Sequence, residues 1–287
     1  MISGSALSTL TTGPIRSGHR TIDQLADIVR GRGAGRVLVV YDQTATASGA
    51  RDLVISALQT RGVRSHAAAA DHDEGPDYRG LMHRLHQLDG ALIMTVGDGR
   101  TINLGKVIAA IANNDTLTDH IGTGLPWAPL PHVAVPTEPW PPVEVTDMLE
   151  VDPNTVPSPA SVIRDSRLTP TAVIDGRLHQ LRDPHAWAAA TELALSVAAC
   201  AALDPARSLD EKTRALAAAH ALTGRAATPA DHPHQLDTRV AISLAGASHT
   251  DYLLCHRCAA GHHLFEETIT EPTTPAEACL REAFIQR

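Results

Sequence analysis

The first half of the chain alternates between two hydrophobic rhythms. Gly35-Arg36-Val37-Leu38-Val39-Val40-Tyr41-Asp42 is an unbroken run rich in β-branched residues, bounded by glycine and aspartate, which suits a parallel strand covered on both faces. From about Ser48 to Thr60 the spacing of Leu53, Ile55, Ala57 and Leu58 fits a helix, and Gly62 supplies its stop. Val63 to Ala69 reads as a second, weaker strand. Leu81, Leu85 and Leu88 predict a helix over Asp77 to Leu88, and Asp89-Gly90 turns the chain into the strand Ala91 to Val96. The resulting βαβαβα order predicts an α/β fold with a doubly wound, mostly parallel sheet of Rossmann-like layout.

Beyond that the pattern changes twice. Prolines crowd the segment from Thr123 to Pro159 and exclude long helices there. Within it His132 to Thr137 reads as one more strand, while Ser161 to Arg164 and Ala172 to Asp175 are short strands of the same sheet or of a hairpin. From Pro184 onward the spacing is helical, over Ala186 to Ala202, Ser208 to Thr223 and Thr238 to about Phe265, with Pro205, Gly224, Pro229 and Pro233 as separators. We therefore expect an α/β domain over residues 1–180 and a smaller all-α domain over 181–287.

Composition narrows the function. Aromatic residues make up only 3% of the 287, so Ala, Leu, Val and Ile carry the packing. A formal charge of -8 argues against general nucleic-acid affinity, which needs dense positive charge. The N-terminus lacks the charged and apolar regions of a signal peptide, and no apolar run elsewhere reaches membrane-spanning length, so a cytoplasmic protein without disulfides is expected. The sixteen histidines are scattered and read mostly as surface or core-edge residues.

Chemistry is most concentrated where the strand Ala91 to Val96 meets Gly97-Asp98-Gly99 and a helical pattern begins. Such a junction brings backbone N–H groups and a helix N-terminus up to an anion, at the carboxyl end of a strand, where α/β sheets bind ligands. Asp42 closes the first of the strands read above. Asp98, however, places a carboxylate where a phosphate would sit, with Arg100 available to offset it. Lys106 reads either as a ligand of that anion or as a solvated helix residue. Cys255, Cys258 and His262 have the composition of a zinc site but lack a second ligand pair, so buried thiols are the alternative. Trp127 and Trp140, in the proline-rich loops, either cover the sheet edge or form a partner surface.

The order of these segments resembles the iron-containing alcohol dehydrogenase family, which shares its fold with dehydroquinate synthase. Thr95 to Lys106 is similar to that family's Gly-Gly-Gly-Ser-x-x-Asp-x-x-Lys turn, with Gly97, Gly99 and Lys106 matching and Asp98, Arg100 and Asn103 departing. Pro131 to Thr137 is similar to the strand entering its Pro-Thr-Thr-x-Gly-Thr-Gly-Ser-Glu loop, of which only Thr137 and Glu144 carry over. Leu168 to Asp175 is similar to its Pro-x-x-x-x-Asp strand. The resemblance implies NAD(P) as a possible cofactor, held by Asp42, Gly97, Asp98, Gly99, Arg100, Lys106 and Thr137. It also implies a metal-binding aspartate and histidine four residues apart on one helix face; here those positions fall on Ala194 and Ala198, which cannot coordinate an ion. Glu192 comes near in another register but has no histidine one turn on. His256 is the one relic ligand the resemblance suggests, and no catalytic metal is expected.

These departures lead to a catalytically degenerate relative, a partner or substrate-recognition subunit for a full-length catalytic homologue in a biosynthetic pathway, with a ribosomally made peptide as one substrate class, or a self-associating chain. Two alternatives stay open. One is a metal-independent NAD(P)-dependent oxidoreductase, with His256, Asp251 or Glu144 as proton donor. The other is a dehydroquinate-synthase-like cyclase.

Overall fold

The structure is a computed structural model and describes residues 15–70, 77–114, 116–139, 141–151, 162–178, 184–223 and 232–248. Strands β1 (Ile15–Gly18), β2 (Arg36–Tyr41), β3 (Arg64–Ala69), β4 (Ala91–Gly97), β5 (His132–Pro136) and β8 (Thr171–Asp175) form one six-stranded sheet in the order β1-β8-β5-β4-β2-β3. All of its pairings are parallel. The short β6 (Met148–Glu150) and β7 (Val162–Arg164) make a separate antiparallel pair, which places the segment before Arg164 outside the main sheet.

Burial explains the strand order. Every residue of β4 is buried, as expected for an apolar strand at the centre, whereas β3, with Arg64, Ser65 and His66, takes an edge. Helices α1 (Leu25–Gly31), α2 (Gln43–Ala47) and α3 (Ala50–Thr60) belong to one layer, where Leu25, Val29, Val54 and Leu58 pack on Val37, Val39, Leu92 and Met94. On the other face α4 (Tyr78–His86) and α5 (Gly99–Ile111) set Leu81, Leu85, Leu104 and Ile108 against Leu38, Val40 and Ile93. Alternate residues of β2 and β4 thus feed opposite layers, as strand periodicity requires.

Helices α6 (Pro184–Leu203), α7 (Leu209–Leu222) and α8 (His232–Ser248) pack together through alanines, and their cluster includes Ile15, Val145, Ala172 and Ile174 from the sheet side. Ser208 and Glu211 form a capping box that starts α7. The last helix begins at His232 rather than at Thr238; Pro233 falls in its first turn, where the missing N–H costs nothing. One sequence expectation needs correcting: Ala186–Leu203 is long and apolar enough to cross a membrane. Its alanine richness disguises this, and its buried side chains, Ala194, Leu195 and Ala198 among them, pack within the helical cluster.

Candidate functional site

The chain runs outward from β2 to β3, then returns to β4 on the other side of β2, so the order of the sheet reverses between β2 and β4. Ligands of open α/β sheets bind outside the carboxyl ends of strands at such a reversal. Asp42 follows β2 and Gly97-Asp98-Gly99 follows β4, so topology brings together residues 56 positions apart, where Asp42 Oδ2 accepts a hydrogen bond from the Asp98 N–H at 2.7 Å.

The groups at this junction are engaged with one another. Asp42 caps α2 by accepting from the Ala45 N–H at 2.6 Å, and its other oxygen also accepts from the Thr101 hydroxyl at 3.2 Å. Asp98 is the N-cap of α5, and its Oδ1 accepts from the Thr101 N–H at 2.8 Å. The free N–H groups of a helix start attract anions, and here one anion is supplied by the chain itself. Arg100 is exposed. Beyond β5 the Thr137 N–H donates to the Gly97 carbonyl at 2.9 Å, while the buried Thr137 Oγ1 has no hydrogen-bond partner among the described residues.

Lys106 departs from both sequence readings. It is fully buried, and its Nζ donates to the carbonyls of Val143 (2.8 Å), Thr146 (2.7 Å) and Met148 (3.0 Å) and to the Thr146 hydroxyl (2.7 Å). Burial pushes its pKa down to about 7, against the pull of the Asp147, Glu144 and Glu150 carboxylates. One turn earlier Asn103 makes a two-way bridge with Glu150, donating to its carbonyl at 3.0 Å and accepting from its N–H at 2.8 Å. Residues 99, 103 and 106 share one face of a helix, a spacing visible in the sequence.

Glu144 is fully buried. Its Oε1 accepts from Arg239 of α8 at 2.6 Å and from the Ser243 hydroxyl at 2.7 Å, so the carboxylate fastens the 141–148 segment to the last helix. Sequence reasoning missed Arg239 and Ser243, although their four-residue spacing puts them on one face. It also missed His132, which is buried against the Thr95 hydroxyl at 2.9 Å and whose pKa burial pushes down to about 3. Asp251, His256, His262, Cys255, Cys258 and Trp140 lie outside the described residues. Trp127 is exposed in its loop.

The donor set can be tested against the groups the fold implies. A dinucleotide diphosphate would need the N–H groups at the start of α5, yet the Asp98 and Thr101 N–H groups already donate to protein carboxylates. Gly99 is also covered, since a Cβ there would lie 2.8 Å from Pro141 Cγ and 3.0 Å from Val143 Cγ2. In this arrangement two N–H groups of the turn and the space beside Gly99 are taken up by the protein itself. On α6, Ala194 and Ala198 are fully buried in the helical core. They offer no ligand to a metal ion.

Residues 13–175 match the model of the iron-containing alcohol dehydrogenase family. A search of curated proteins finds no match. Among solved structures, sulfoacetaldehyde reductase from Bifidobacterium kashiwanohense in complex with NAD+ superposes with a TM-score of 0.72 at 21% identity, over 84% of this chain and 66% of that one. The alcohol dehydrogenase from Oenococcus oeni gives 0.75 at 18% identity, over 94% and 72%, and the iron-containing alcohol dehydrogenase from Thermococcus thioreducens gives 0.69 at 16%, over 84% and 66%. The chain therefore spans about two thirds of the length of these neighbours, and identities this low speak for the fold alone. With the family model matching more than half of its residues, the chain belongs to the iron-containing alcohol dehydrogenase family.

Proposed function

We propose that this chain is a non-catalytic member of its family, a partner or substrate-recognition subunit that leaves the redox chemistry to a catalytic homologue. The observation that carries the reading is on α6. At the two positions where the family resemblance puts an aspartate and a histidine, Ala194 and Ala198 have no exposed surface and pack in the interhelical cluster. Methyl groups can neither coordinate an ion nor yield the space a ligand pair would need. The self-engaged turn after β4 supports the same reading.

A second reading, an NAD(P)-dependent oxidoreductase that works without iron, draws support from the NAD+ held by one fold neighbour and from the retained strand reversal. Of its three proton-donor candidates, Glu144 is fully buried and paired with Arg239. One set of measurements separates the two: metal content of the purified chain, NADH and NADPH oxidation with aldehyde substrates, and the same assays after adding a catalytic homologue. The first reading expects no turnover by the chain alone and a change in the homologue's rate or substrate range on mixing. One tightly bound ion per chain with hydride transfer by the chain alone would refute it.

A further inference from the structure

The segment Pro141–Glu150 lies against both the start of α5 and the last helix, α8. Pro141 and Val143 lie over Gly99 at the start of α5, and Pro142 lies over α8, where a Cβ on Gly246 would fall 2.6 Å from Pro142 Cγ and 3.3 Å from Val145 Cγ2. Between these contacts, Lys106 gathers three backbone carbonyls of the segment, Asn103 holds Glu150, and Glu144 reaches Arg239 and Ser243. Its own turns are closed by the Val143 N–H to the Pro141 carbonyl at 2.9 Å and the Thr146 N–H to the Val143 carbonyl at 3.2 Å. A loop that only connected β5 to β6 would not need anchors on two separate helices. Every anchor on α5 lies on the face formed by residues 99, 103 and 106.

We propose that Pro141–Glu150 is an internal strap that fills the crevice between α5 and α8 and covers the anion-attracting start of α5, with Lys106 as its pin. The strap and the Asp98 carboxylate together stand where a diphosphate-bearing ligand would lie. Opening the strap uncovers a site of that chemical class. This inference is independent of the metal positions on α6: the strap could be pinned in a chain that binds an ion, or loose in one that does not.

Two experiments on the full chain test it. The first titrates NADH, followed by fluorescence, into the native chain and into Asp98→Gly/Pro141→Gly. The native chain should show no saturable binding, and the variant should gain at least roughly tenfold, about 1.4 kcal/mol. Equal binding by both, or no gain in a variant whose circular dichroism is native, would overturn the proposal. The second measures amide hydrogen exchange. The Val143 and Thr146 amides should exchange as slowly as those of α5, and Lys106→Met should speed them by at least roughly tenfold while leaving β2 and β4 unchanged, because only the pin is lost. Strap amides that exchange as fast as an exposed loop, or do not respond to Lys106→Met, would overturn it even if the double variant failed to fold.

Discussion

Arg239→Met isolates the energetics of the link between strap and helix. In the native chain Arg239 donates to Glu144 Oε1 at 2.6 Å and to the Ser243 hydroxyl at 2.6 Å, and both members of the ion pair have no exposed surface. Methionine keeps much of the arginine's apolar volume but removes the charge. Glu144 would then retain a single donor, the Ser243 hydroxyl, since its Oε2 already has no partner among the described residues. Removing one side of a buried ion pair costs about 3–5 kcal/mol, because the remaining charge is left desolvated and uncompensated. At roughly 2–4 °C per kcal/mol for a chain of this order of size, the melting temperature should fall by about 10 °C.

The same reasoning makes an opposite prediction for the pair removed together. Desolvating two ions consumes most of what their attraction returns, so Glu144→Leu/Arg239→Met should recover most of the loss and come within about 1–2 kcal/mol of the native chain. Urea unfolding of the native chain, both single variants and the double variant, followed by far-ultraviolet circular dichroism, closes the cycle. An Arg239→Met cost below about 1 kcal/mol, or a double variant as unstable as the sum of the singles, would refute the assignment of a desolvated, mutually compensating pair.

Lys106 predicts a pH dependence with a definite sign. The unfolded chain holds this proton up to the ordinary value of 10.5, whereas the folded chain releases it from about 7, so the unfolded state binds more protons in between and stability should rise with pH across that window. Urea midpoints measured from pH 6.5 to 10 should therefore climb in the native chain relative to Lys106→Met, and parallel curves would contradict it. Gly246→Ala should destabilise by about 1–3 kcal/mol, because the added methyl meets the rigid ring of Pro142. A thermal melt within 1 °C of native would show that α8 and the strap separate easily.

The sheet was legible where a strand is apolar along its whole length. β2 and β4 announce themselves as unbroken runs, and their helices follow from i, i+3, i+4 spacing. β1 escaped because Ile15-Arg16-Ser17-Gly18 has one apolar residue, so its place at the edge comes from pairing with β8 and from Ile15 packing in the helical cluster, neither of which periodicity shows. α1 is two turns long and was also missed. At the site, sequence indicated the positions but not their roles. Lys106 could be read as a ligand or as a solvated side chain because its four oxygen partners come from residues 37–42 positions later, in a proline-rich segment with no periodicity to place it. The spacing of Gly99, Asn103 and Lys106 was the available clue to a clasping face, but it does not say what is clasped.

The two glycines that first suggested a nucleotide site illustrate how far such a signal carries. Gly97 is required because a Cβ there would collide with the Asp42 carboxylate and come within 3.0 Å of Thr101. Gly99 is required because Pro141 and Val143 occupy the space its side chain would need. Lys106, the third match to the family's turn, is required by the buried carbonyls to which it donates hydrogen bonds. Each retained residue thus has a reason to persist that involves no ligand, since replacing any one would cost packing or leave buried oxygens without donors. Retention at these positions is consequently evidence for the fold, and evidence for a cofactor has to come from groups that face outward and lack internal partners. At the start of α5 the N–H groups of Asp98 and Thr101 have internal partners, and these are the groups a diphosphate would have to win from Asp42 and from Asp98 itself.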